Sequence, residues 1–98
     1  MIYKYKTTIA VAAGSGSANT HNVIGGVCKE LLIKPTTATT TYKVNIVDED
    51  SITLKSYDFK KGQYIDTTEF IAYGVYTVNI TDSSADENFT FRMMVREG

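Results

Sequence analysis

One cysteine, one proline, one histidine and no tryptophan occur in the 98 residues of this chain. A lone Cys28 closes no internal disulfide and rules out a zinc site of the multi-cysteine type. An unpaired thiol also fits assembly in a reducing cytoplasm. His21 stands alone in a polar stretch with no nucleophile or orienting carboxylate placed beside it, as a catalytic histidine needs. Charge of one sign is lacking too. Ten basic residues against eleven acidic ones give a net charge of −1. Phosphate neutralisation requires a basic excess, so nucleic acid is not an expected partner. No run approaches the ~20 apolar residues of a membrane helix. The apolar patch Ile9 to Ala13 is shorter than the core of a secretory signal. An amphipathic helix of ten residues and an internal repeat are missing as well.

What the chain does have points to strands. Fourteen threonines and seven tyrosines favour extended, pleated backbone over helix. A hydrophobic content of 43% with 21% charge is ordinary for a folded domain, and the length suits one core. Ile2 to Val11 alternates, with Tyr3, Tyr5, Thr7, Ile9 and Val11 on one side and Lys4, Lys6 and Thr8 on the other. Residues 12–26 read as a flexible Gly/Ser-rich loop, and Val27 to Lys34 as a strand stopped by Pro35. Tyr42, Val44 and Ile46 face inward on the next strand, Asp48-Glu49-Asp50 turns, and Ser51 to Phe59 returns. The segment Tyr64 to Tyr73 is the least periodic and predicts a short or broken strand. From Phe70 to Val95, two alternating runs flank an acidic break, the pattern of a β-hairpin with a connection of several residues. Tyr76, Val78 and Ile80 share one face of the first run; Phe89, Phe91, Met93 and Val95 share one face of the second.

These strands predict a single all-β domain over residues 1–98, an antiparallel sandwich of about seven strands, either immunoglobulin-like or jelly-roll-like. Gly74-Val-Tyr76-Thr-Val-Asn-Ile80 resembles the Gly-x-Tyr-x-Val-x-Ile strand of immunoglobulin-like domains, in which a tyrosine fixes a corner through a backbone hydrogen bond. Val78 stands where the second disulfide cysteine of antibody domains would be, so the resemblance implies the sandwich architecture alone. Up-and-down parity would put the loops at 12–26, 48–50 and 73–74 at one end. Those at 34–41, 59–63 and 82–87 would then lie at the other.

No chemistry assembles on this frame. Parity sends Asp48, Glu49 and Asp50 to one pole and Asp82, Asp86 and Glu87 to the other, and neither trio follows an EF-hand spacing. Gly14-Ser-Gly16 lacks the third glycine of a dinucleotide loop, and Gly25-Gly26-Val-Cys-Lys29 lacks the P-loop spacing. Val27, Leu31 and Leu32 around Cys28 predict a buried, inert thiol. Threonine abundance accounts for the two Asn-x-Thr matches at Asn79 and Asn88. The expectation is no cofactor, no metal and no enzyme. A protein contact is the better lead, because outward methionine and aromatics mark such surfaces. Met94 points outward between Arg92 and Arg96, and Tyr3, Tyr5, Tyr57 and Phe59 complete the candidate contacts.

The order of features across most of the chain resembles the small accessory virion proteins of tailed bacteriophages, most of all capsid decoration (cement) proteins. It runs through Gly-Gly-Val-Cys-Lys-Glu-Leu-Leu-Ile-Lys-Pro, Thr39-Thr-Thr-Tyr-Lys-Val-Asn-Ile, Gly-Val-Tyr-Thr-Val-Asn-Ile and Ser-Ala-Asp-Glu-x-Phe-Thr-Phe. The resemblance implies a β-sandwich, often trimeric, made in the host cytoplasm and seated on the outer capsid lattice. Its partners would be the major capsid protein and copies of itself, with no nucleic acid and no membrane. No shared functional motif exists to carry over. A tail or connector accessory protein is one alternative. A carbohydrate-binding or adhesin module is another, with Tyr57, Phe59, Tyr64 and Tyr73 as stacking residues.

Overall fold

Side chains that alternate apolar and polar pack best on a pleated sheet with one face in a core. The computed structural model describes residues 1–97 and folds them into nine strands. In chain order these are β1 (Ile2–Ala10), β2 (Gly16–Asn19), β3 (Val23–Pro35), β4 (Thr41–Val47) and β5 (Thr53–Lys61). They continue as β6 (Tyr64–Asp66), β7 (Phe70–Gly74), β8 (Thr77–Thr81) and β9 (Asn88–Arg96). One sheet runs β1-β9-β3-β6, with β7 also paired to β3; the other runs β2-β8-β4-β5. Every pairing is antiparallel.

Nine strands rather than seven arise from two places. The predicted loop 12–26 contains β2, and β3 already begins at Val23. The aperiodic 64–73 segment breaks into β6 and β7, both lying along β3. Taken as one interrupted strand, β6 and β7 leave eight strands whose order in the two sheets is that of a jelly roll, not of an immunoglobulin domain. The predicted hairpin is also corrected. β8 pairs with β2 and β4, β9 pairs with β1 and β3, and residues 82–87 carry the chain from one sheet to the other. Both strands keep the inward faces that their alternation dictates, but those faces meet across the core.

That core joins the two sheets. Tyr42, Val44, Ile46, Tyr76, Val78, Ile80, Phe89, Phe91 and Met93 are all buried, none more than 4% exposed. Burying one such side chain stabilises by about 1.5–3 kcal/mol. Phe89 stands edge-on to Tyr42, with ring centres 5.0 Å apart, and so couples the sheets directly. Tyr76 serves as a corner: its hydroxyl oxygen accepts the Tyr73 N–H at 2.8 Å, three residues upstream. The Thr20 hydroxyl in turn accepts the Tyr76 N–H at 3.0 Å.

Hydrogen bonds sort the connections into two ends. Val11 N–H donates to the Glu87 carbonyl, Ser83 N–H to that of Gly14, Ser84 N–H to that of Thr41, and Gly62 N–H to that of Thr40. The loops around 11–15, 36–40, 62–63 and 82–87 therefore share one end. The opposite end holds 20–22, 48–52 and 75–76, where the Glu49 carboxylate accepts the Val75 N–H at 2.6 Å. The inserted strand β2 moves the Gly14 loop to the pole opposite the one predicted for it. Asp48 to Asp50 and Asp82 to Glu87 do lie at opposite poles.

Candidate functional site

The outer face of the five-stranded sheet is a surface whose composition departs from a plain polar exterior. Cross-strand register sets it out in rows across β1, β9 and β3, continued on β7 or β6. Ile2, Arg96, Val27 and Ile71 form the first row, and Lys4, Met94 and Glu30 the second. Lys6, Arg92, Leu32 and Ile65 make the third, and Thr8, Thr90 and Lys34 the fourth.

The first row ends in an apolar step. In β7 the small residues Ala72 and Gly74 are buried, while Ile71 and Tyr73 stand 81% and 74% exposed. A bulge in β3 sets Ile24 and Gly25 opposite Tyr73, leaving Ile24 exposed as well. Gly25 adopts φ +133°, and a Cβ there would lie 3.6 Å from the Tyr73 ring, so the aromatic ring rests beside bare backbone. Large apolar groups pointing outward with alanine and glycine pointing inward invert the usual amphipathic strand. Such inversion is a signature of a contact surface, and it was legible in the sequence as Ile-Ala-Tyr-Gly.

The seven predicted contact residues are divided by the structure. Arg92, Met94 and Arg96 do share this outer face. Met94 is half-buried between Lys4 and Glu30, and Arg92 donates to the Glu30 carboxylate at 2.5 Å. Tyr3 and Tyr5 lie on the inward side of β1 and are half-buried, Tyr3 beside Glu97, whose carboxylate pushes the phenol pKa up. Phe59 is exposed on the other sheet, at a bulge of β5 opposite Lys43, whose ammonium sits 4.7 Å from its ring centre. Sequence reasoning passed over Ile2, Ile24 and Ile71. The four aromatics considered for sugar stacking form no common platform, since Phe59 and Tyr73 stand on different sheets and Tyr57 packs edge-on to Tyr64 at 5.0 Å.

Tyr57 belongs instead to a clasp between the sheet edges. Its hydroxyl donates to Asp66 of β6, which also accepts the Thr68 N–H at 2.8 Å and faces the Lys55 ammonium at 3.5 Å. Burial and the neighbouring carboxylate push the Tyr57 pKa up, keeping the phenol a proton donor. Burial alone would raise Asp66, but the hydrogen bonds from Tyr57 and Thr68 and the charge of Lys55 outweigh it and hold the carboxyl at about 2, below its ordinary 3.8. The folded state therefore favours the carboxylate. Its stabilising contribution is complete above about pH 4, fades as the pH falls toward 2, and amounts to about 2 kcal/mol. Urea unfolding between pH 5 and pH 2 checks this: stability should fall less steeply with acid in Asp66→Asn than in the wild type. Parallel slopes would refute the assignment.

Other polar groups are accounted for locally. Glu87 accepts the Thr37 N–H at 2.6 Å and the Thr40 hydroxyl at 2.9 Å; against the effect of burial, these bonds keep its carboxyl below the usual range. Lys60 stacks on Tyr64, 4.3 Å from the ring centre, and forms no ion pair with Asp86 or Glu87. The Cys28 thiol is buried, donates to the Glu30 carbonyl at 3.4 Å, and has its pKa pushed up to about 11 by burial. Among the described residues, no three His, Cys, Asp or Glu side chains converge on a position for a metal ion. Among the described residues, no helix is long and apolar enough to cross a membrane.

No protein-family model matches the chain, and no curated protein matches it by sequence. Among solved structures it is similar to a chain in the structure of infectious bursal disease virus, Gx strain, at 9% identity and a TM-score of 0.38. That alignment covers 100% of this chain and 32% of the viral one.

Proposed function

We propose that this chain is a non-enzymatic structural module of a tailed-bacteriophage particle, a capsid decoration protein that seats on the outer lattice and clamps neighbouring coat subunits. The observation that carries the reading is the inverted strand β7, which turns Ile71 and Tyr73 outward from a sheet whose core is complete without them. The order of sequence features shared with decoration proteins supports it, and so, by analogy of fold, does the recurrence of jelly rolls in viral capsid domains. The partners under this reading are the major capsid protein and copies of the chain itself. A tail or connector position uses the same contact physics and differs only in the symmetry of the site.

The contact face is small. Six residues of strand rise by four strand spacings give roughly 20 × 20 Å, about half of the ~800 Å² per partner of a standard interface. One copy would bind weakly, and repetition over a lattice would supply the strength. Mixing the purified protein with undecorated heads of the phage that encodes it, then imaging, should show one density per lattice position. Ile71→Asp with Tyr73→Ser should cut occupancy at least tenfold, because burying each side chain is worth about 1.5 kcal/mol or more. Heads without added density would sink the reading.

A further inference from the structure

The other half of the same sheet face is cationic. Lys4 and Lys6 from β1, Arg92 from β9 and Lys34 from β3 rim a concavity of about 240 Å³, which Gln63 closes at one side. Its floor is Leu32, an outward-facing residue that is nonetheless only 7% exposed because the stems of the surrounding cations cover it. Arg92 spends one guanidinium nitrogen on Glu30, and its Nε is buried without a partner. Lys4, Lys6 and Lys34 have no carboxylate within ion-pair distance among the described residues. In a chain of net charge −1, three unneutralised ammonium groups and a partly satisfied guanidinium converge on one depression.

We propose that this concavity is a carboxylate-binding site and that its occupant is an acidic segment of a partner protein, with Asp or Glu side chains among the cations. An aliphatic side chain of the same segment packs on the lysine and arginine stems that cover Leu32. The apolar row at Ile71 and Tyr73 continues the face and receives the segment's apolar flank. A polyanionic nucleic acid fits worse: the apolar half of the face offers phosphate one cation, Arg96, among Ile2, Val27 and Ile71, and exposed Asp50, Asp82 and Asp86 stand at the two ends of the domain. This deepens the particle-surface reading by naming which chemistry of the partner meets which half of the sheet.

The test uses the isolated full chain, labelled with ¹⁵N and titrated with the peptide Glu-Leu-Glu-Glu-Leu-Glu, with inorganic phosphate, and with a single-stranded DNA twelve-mer. The peptide should shift amide signals of Lys6, Leu32, Lys34, Thr90 and Arg92, and added salt should weaken it. Lys4→Glu with Lys6→Glu and Lys34→Glu should weaken peptide binding at least tenfold. Lys43→Glu with Lys60→Glu and Lys61→Glu makes the same change in net charge on the other sheet and should leave binding within twofold. Absence of shifts at these residues, tighter binding of the DNA than of the peptide, or equal loss in both variants would overturn the proposal. So would concentration-dependent self-association that occupies the face without any peptide. Because no phage head enters this titration, its failure would leave the lattice-binding experiment standing, and failure on heads would leave the carboxylate site standing.

Discussion

Phe89→Ala is expected to cost the domain a large share of its stability. The ring is fully buried, stands 5.0 Å from that of Tyr42 across the sandwich, and lies in register between Ile9 of β1 and Pro35 of β3. Truncation loses the transfer energy of the ring and leaves a cavity walled by both sheets, which antiparallel ladders on either side prevent from collapsing. Substitutions of this kind cost about 3–5 kcal/mol. Against the roughly 5–15 kcal/mol of a typical domain that is about a fifth of the total at the least. For a chain near 100 residues, Tm should fall by about 12 °C at least. Met94→Ala, on the opposite face of the same strand, should cost much less, and thermal unfolding monitored by circular dichroism compares the two. Similar losses for both would mean that the inner face of β9 is not the core.

The contrast between those two positions also shows what alternation can and cannot reveal. Period-two patterning told which side chains of β4, β8 and β9 turn inward, because burial acts on each strand by itself. It could not tell which strands pair. An inward face on β8 and another on β9 look alike whether the strands form one ribbon or oppose each other across a core, so the apparent hairpin proved to be a crossing between sheets. Strand β2 was hidden for a different reason. Gly16-Ser-Ala-Asn19 has no large apolar residue; its pairing with β8 rests on backbone hydrogen bonds, with only Ala18 packed on the core. Its glycine is there because a Cβ at Gly16 would come within 2.2 Å of the Ala10 carbonyl oxygen. At the candidate site, Met94 was legible as an outward residue. The cationic concavity was not, since Lys4, Lys6, Lys34 and Arg92 come from three strands whose adjacency only the topology supplies.

Gly62→Ala is expected to be nearly as damaging as loss of a core ring, although it adds a single methyl group. Gly62 sits in the left-handed region at φ +66° between β5 and β6. An alanine there costs about 1–2 kcal/mol in backbone strain. The added Cβ would also lie 2.5 Å from the Ala38 carbonyl oxygen, and the obstacle is backbone rather than a side chain able to swing away. Relief of such overpacking typically costs another 1–3 kcal/mol. Two hydrogen bonds resist the required shift: Gly62 N–H donates to the Thr40 carbonyl at 2.9 Å, and its own carbonyl accepts the Tyr42 hydroxyl at 2.6 Å. Moving Gly62 would therefore disturb the buried Tyr42 ring and, through it, Phe89. The sum is about 2–5 kcal/mol, or a Tm lower by about 8 °C or more. Gly14→Ala separates the two causes. Gly14 also has a positive φ, +82°, but a Cβ there would meet the Ser83 carbonyl oxygen at an ordinary 3.7 Å. It should show the strain alone. Equal losses at Gly62 and Gly14 would show that the approach to Ala38 relaxes freely, and that the loops at this end are not locked to the core through Tyr42.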